Sequence, residues 1–184
     1  MSDTVTAGLL VIGDEILSGR TKDVNIGATA DFCTDLGIDL KEVRVVSDET
    51  DDIVDAVNAL RARYTYVFTT GGIGPTHDDI TADAIAKAFG VALPIHAEAR
   101  AMLEARWKQT GTEVNEARLR MARIPEGASL IVNAVSAAPG FRIGNVHVMA
   151  GVPVIMRAML EALVPTLKGG RKVLSATVKA AVGE

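Results

Sequence analysis

The sequence predicts an α/β fold built on a mainly parallel sheet with helices on both faces. Two observations carry this. Short apolar or β-branched runs alternate three times with segments whose apolar residues recur at helical spacing, and two of those segments stop at a glycine. Strand-helix alternation of this kind builds parallel sheets. A third observation sets the size: 184 residues, 48% hydrophobic and 23% charged, suit a single domain over 1–184 with one good-sized core.

Residues 7–12 (AGLLVI) read as a buried strand closed by Gly13-Asp14-Glu15. Ile26, Ala30, Cys33 and Leu36 share a helical face that ends at Gly37, and 38–46 reads as a second strand. Ile53, Val57 and Leu60 mark a second helix, and 64–69 a third strand that runs into Gly71-Gly72-Ile73-Gly74-Pro75. Ala84, Ile85, Ala88 and Phe89 follow helical spacing up to Gly90. Residues 96–123 read as one or two helices broken near Gly111. Strands near 130–132 and 146–149 flank a turn at Ala138-Pro139-Gly140, and a last helix starts near Pro153. Residues 168–184 are a tail or a final strand, the strand pattern covering 172–180.

Composition narrows the function. The 19 Lys+Arg against 23 Asp+Glu give a net charge of -4 with no basic run, so no nucleic-acid footprint is expected. No apolar run approaches the ~18 residues that cross a bilayer, and MSDTVTAGLL lacks a signal-peptide pattern, so the expectation is a cytoplasmic protein without a membrane partner. Cys33 is the only cysteine, which excludes intrachain disulfides and multi-cysteine metal sites, and its spacing reads as core.

In open parallel sheets ligands bind beyond the carboxyl ends of the strands, which points to the loops after residues 12, 46 and 69. The segment 69–81, TTGGIGPTHDDIT, is the most informative of them. Its glycines permit tight turns and close approach of a ligand, and the following helix start favours a phosphate. Asp78 and Asp79 beside such a cradle repel a phosphate unless a divalent cation such as Mg2+ lies between. Thr76-x-x-Asp79 also reads as a capping-box variant, with Asp78 favouring the helix dipole. Asp14 and Glu15 follow the first strand and Asp48 the second, so all three strand ends are acidic. Asn25 adds an uncharged hydrogen-bonding group near the same edge, or a solvated first helical turn. His77 lies in the glycine-rich segment, His96 reads as a helix start and His147 as a strand residue. No Ser-His-Asp, H-E-x-x-H or Walker pattern is present.

Gly13-Asp14-Glu15-Ile16-Leu17-Ser18-Gly19, Asp23-x-Asn25, Asp48 and TTGGIGPTHDDIT together resemble the molybdopterin-binding domain family, and within it the CinA amino-terminal subgroup (competence/damage-inducible protein A). Asn133, Ala138-Pro139-Gly140-Phe141 and Gly151-Val152-Pro153 resemble that subgroup's later motifs, so the similarity spans about residues 7–165. The resemblance implies a three-layer α/β/α sandwich that binds a nucleotide or a pterin and associates as a dimer or trimer. It implies Asp48 and Asp79 as catalytic, Asp48, Asp78 and Asp79 around a divalent cation such as Mg2+, and Gly71, Gly72, Gly74, Pro75, Thr76 and Thr81 as the binding loop. Gly13, Asp14, Glu15, Asn25, Asn133, Pro139 and Gly140 complete the implied pocket. The implied chemistry acts on a phosphoanhydride. It is metal-dependent hydrolysis of a nucleotide pyrophosphate such as ADP-ribose, or molybdopterin adenylylation with ATP, or binding of either ligand without turnover. Three positions depart from the subgroup pattern: Ser136-Ala137 for Gly-Thr, Ala150 for Pro and Ile155 for Glu.

Overall fold

The structure is a computed structural model and describes residues 4–170. The strand or tail expected at 172–180 lies outside the described residues. The chain runs β1 (Thr6–Ile12), α1 (Asp14–Leu17), α2 (Asn25–Leu36), β2 (Asp39–Val46), α3 (Thr50–Arg63), β3 (Tyr66–Thr70), α4 (Thr81–Phe89), α5 (Ala97–Thr110), α6 (Glu116–Leu119), a 3-10 turn (Arg120–Ala122), β4 (Ser129–Ile131), β5 (Gly140–Ile143), β6 (Val146–Met149) and α7 (Pro153–Leu163).

The six strands form one sheet in the order β2-β1-β3-β6-β5-β4. β1 pairs in parallel with β2 and β3, and β3 in parallel with β6, whereas β5 is antiparallel to both its neighbours. Alternation along β1 separates two cores, because successive side chains leave opposite faces. Ala7, Leu9 and Val11 pack with Cys33 of α2 and with Met156 and Met159 of α7. Leu10 and Ile12 pack with Ile53 and Val57 of α3, Ile85 of α4 and Leu103 of α5. This is the expected three-layer sandwich, and Cys33 is core, its thiol pushed up to about 12 by burial.

From β1 the chain adds β2 on one side and then crosses to add β3 on the other. The order reverses between β1 and β3, so their following loops diverge to opposite faces and leave a crevice at their carboxyl ends.

Three elements differ from the sequence reading. The loop after residue 12 contains the single-turn helix α1. The helical reading of 96–123 holds for α5, which stops at Gly111 in the left-handed conformation, but only one further turn and a 3-10 turn follow. The chain is drawn back there against residues 94–96: His96 N donates to Ala122 O, Ile124 N to Pro94 O, and Ile95 bridges Arg123. Third, Gly140 is not the end of a turn but the first residue of β5. That strand forms a hairpin with β6 through the two residues Gly144-Asn145.

Candidate active site at the switch point

The loop after β3 is held from both sides. A Cβ on Gly71, at φ 107°, would strike the carbonyl oxygen of Ile12 at the end of β1, and a Cβ on Gly151 would lie 3.2 Å from Gly71 Cα. A Cβ on Gly72, at φ 66°, would strike Thr81 Oγ1. That buried hydroxyl donates to Gly71 O at 3.0 Å, and Thr81 N donates to Gly72 O at 3.0 Å. Thr81, implied as a binding residue, thus fixes the loop's carbonyls onto the start of α4.

Thr76 N and Oγ1 both donate to Asp79 Oδ2, at 2.8 and 2.6 Å. The Thr76-x-x-Asp79 pattern forms, but α4 begins only at Thr81 with Ile80 in the capping position and no side-chain cap. The pair therefore closes the loop rather than capping the helix. The Asp79 carboxylate lies against Gly74, whose added Cβ would be 2.7 Å from Oδ2. Asp78 pairs instead with His77, Oδ1 to Nε2 at 2.8 Å, on an exposed tip. His96 accepts from Ala99 N as the cap of α5, matching its reading as a helix start.

Opposite the loop, Asp48 Oδ2 accepts from Asp14 N at 2.9 Å. Partial burial raises the Asp48 carboxyl above its ordinary range. The Asp14 N–H opposes this, while the charges of Glu15, Asp14 and Asp78 add to it. Asp14, Glu15, Asp48, Asp78 and Asp79 line one cleft of about 430 Å3, with Arg20 as the cation on its wall. Among the described residues no three carboxylates, imidazoles or thiols come together as a ready-made metal cluster. Asp48, Asp78 and Asp79 share the cleft without closing on one point. The donors are all hard carboxylate oxygens, and Mg2+ is usually held by one or two carboxylates together with waters and phosphate oxygens. The residues fit a cation that binds along with a phosphate.

The cleft continues into a less polar space of about 470 Å3 walled by Ile73, Met121, Ala138, Val152 and Ile155. Glu15, Gly72 and Asp79 line both halves, and Pro75 the second only. Ser136, Ala150 and Ile155, the three departures from the subgroup pattern, all line this second half. Met121 and Arg20 were not singled out from the sequence as site residues. Met121 falls in the stretch 96–123 that reads as helix, and no motif marks Arg20.

The remaining expected residues divide. Gly13 joins β1 to α1 with the Glu15 carboxylate packed over it. Pro139 lines a small recess under the glycine loop with Gly72, Gly74 and Arg120. Gly140 is wedged beneath Val148 O. Asn133 shapes its own loop: Oδ1 accepts from Val135 N and Ser136 N, and Nδ2 donates to Ala138 O at 3.1 Å. Asn25 is buried and tethers Gly151, Nδ2 to O at 2.8 Å.

The family model described as "Probable molybdopterin binding domain" matches residues 8–169. The chain belongs to the molybdopterin-binding domain family. A crystal structure titled as the protein CinA with unknown function, from Thermoplasma acidophilum, is 35% identical with a TM-score of 0.81, covering 90% of this chain and 99% of that one. A CinA-like protein from Citrifermentans bemidjiense is 40% identical over 166 residues, 88% of this chain and 40% of that protein. The chain spans less than two thirds of the length of the curated relatives it matches. The molybdopterin biosynthesis enzyme MoaB from Thermus thermophilus shares the fold at 17% identity and a TM-score of 0.59, covering 89% of this chain and 92% of its own. Within the molybdopterin-binding domain family, the likeness is thus to CinA-like members. No helix among the described residues is long and apolar enough to cross a membrane.

Proposed function

We propose that this CinA-like domain binds a nucleotide pyrophosphate such as ADP-ribose across the two halves of the cleft and hydrolyses it with Mg2+ or a similar divalent cation. The observation that carries this is the acidic wall of Asp14, Glu15 and Asp48, which shares one cleft with Asp78 and Asp79 of the glycine loop. Such a wall repels a bare phosphate and accepts a phosphate that shares a cation. Asp48 and Asp78 hold the cation, the Thr76-Asp79 closure keeps the loop in shape, and the loop's backbone N–H groups bind phosphate oxygens. When bound, the cation neutralises charge on the pyrophosphate and lowers the pKa of a water. The water oxygen attacks one phosphorus, the bridging P–O bond breaks, and AMP and ribose 5-phosphate leave as the water's proton passes to solvent. The less polar half of the cleft takes the ring.

The test is AMP formation from ADP-ribose by the purified protein in Mg2+ and in chelator. Release in Mg2+ that stops in chelator is the expected result, and equal absence in both overturns the hydrolase reading. The volume of the less polar half, about 470 Å3, supports a second reading, binding of a molybdopterin with ATP-dependent adenylylation. Adenylylated molybdopterin formed from the pterin and ATP would be its product.

A further inference from the structure

Beside the glycine loop, on the face of the sheet that carries α2 and α7, a smaller pocket of about 100 Å3 opens between Val11, Ile16, Asn25, Thr70 and Gly151. Glu15 and Gly71 line both this pocket and the main cleft, so it is an annex of the site. Asn25 is 5% exposed, and its Nδ2 is committed to Gly151 O, which leaves Oδ1 as the free end of the amide. Oδ1 has no hydrogen-bond partner among the described residues, and neither has Oγ1 of Thr70, which is 1% exposed. Buried polar atoms are nearly always paired, and leaving two on one pocket lining is costly. Valine at position 70 would avoid that cost and keep the β-branched shape that a strand favours.

The chemistry of the lining selects its occupant. Asn25 Oδ1 and the Glu15 carboxylate accept hydrogen bonds only, and the Thr70 hydroxyl accepts as well as donates. Exposed Lys22 and half-buried Asp23 add one charge of each sign to the lining, so the selection lies with the two unpaired buried atoms, and an acceptor-only group such as phosphate gives Asn25 Oδ1 no partner. A compact neutral donor fits. We infer that Asn25 Oδ1 and Thr70 Oγ1 receive a hydrogen-bond-donating end of the substrate, an amino or a hydroxyl group. A site that hydrogen-bonds such a group rejects analogues lacking it, so the annex selects substrates. The inference rests on the nucleotide reading above.

The test compares binding of AMP with that of purine riboside 5′-monophosphate, which lacks only the ring amino group, to the wild type, Thr70→Val and Thr70→Ser, alongside melts without ligand. Thr70→Val is expected to melt no lower than the wild type yet bind AMP about tenfold more weakly, and Thr70→Ser to keep wild-type affinity. If the donor is the ring amino group, the wild type prefers AMP and Thr70→Val loses that preference. If it is a sugar hydroxyl, both nucleotides weaken alike in Thr70→Val. Unchanged affinities in Thr70→Val overturn the inference and leave the nucleotide reading standing. A wild type that binds neither nucleotide overturns both.

Discussion

Two buried residues show how single positions constrain this protein. His147 on β6 is enclosed by the rings of Tyr66 and Phe68, at centroid distances of 5.7 and 5.4 Å. Burial lowers its pKa from 6.5 to about 4. The Val67 backbone opposes this, the Arg142 charge reinforces it, and the Asn145 backbone opposes it more weakly. Between those two values the unfolded chain binds a proton that the folded chain refuses. Stability therefore rises with pH across that interval and is lost on acidification, by up to about 3 kcal/mol. Urea unfolding at pH 7 and pH 4.5 should show this loss, and His147→Leu should remove its share of the slope. Gly72 is the second case. Its left-handed backbone and the overlying Thr81 hydroxyl leave no room for a methyl group. Gly72→Ala should cost about 1–3 kcal/mol, read as a lowered melting temperature. The residue scale also separates two acids that look alike in sequence. Asp79 accepts both Thr76 bonds and packs on Gly74, so Asp79→Ala opens the loop itself, whereas Asp48→Asn keeps an acceptor for Asp14 N and changes mainly the charge.

At the scale of elements, the parallel half was legible because each unit carries its own signal: the apolar run of β1, the helical face of α2 ending at Gly37, the β-branched run of β3. What was missed lies in the antiparallel half. β5 is four residues long, and its inward pattern, Phe141 and Ile143, is too short to stand out. The pair Gly144-Asn145 between apolar residues was the readable hairpin signal. Single-turn α1 and α6 are set by tertiary contacts rather than periodicity, α6 with the help of the Asn115 side chain accepting from Arg118 N. β5 depends on close backbone approach, since any side chain at Gly140 meets Val148 O. Gly140→Val should therefore destabilise by about 1–3 kcal/mol and lower the urea midpoint without changing which residues form the glycine loop.

Across the whole molecule, the reversal of strand order between β1 and β3 brings three acidic strand ends to one crevice. That half of the site was legible because Asp14, Glu15 and Asp48 closely follow strands that the sequence marks, and Asp78 and Asp79 stand in the glycine-rich segment after the third. The less polar half was not, because Met121, Ser136 and Ile155 come from separate segments that meet only when the sheet and α7 pack. The resemblance located the three departures from the subgroup pattern, and the fold shows that they share one wall. Restoring the subgroup residue with Ile155→Glu should change substrate affinity more than turnover, seen as a shift in KM with kcat held within a few-fold.

The central claim is that the acidic wall works through a cation on a phosphoanhydride. Its most direct measurement is the rate of AMP release from ADP-ribose in Mg2+ by the wild type and by Asp48→Asn, with melting curves to confirm that both are folded. The account predicts Mg2+-dependent release by the wild type and a loss of about 10²–10³ in kcat in the variant. Release at the wild-type rate by folded Asp48→Asn would contradict it.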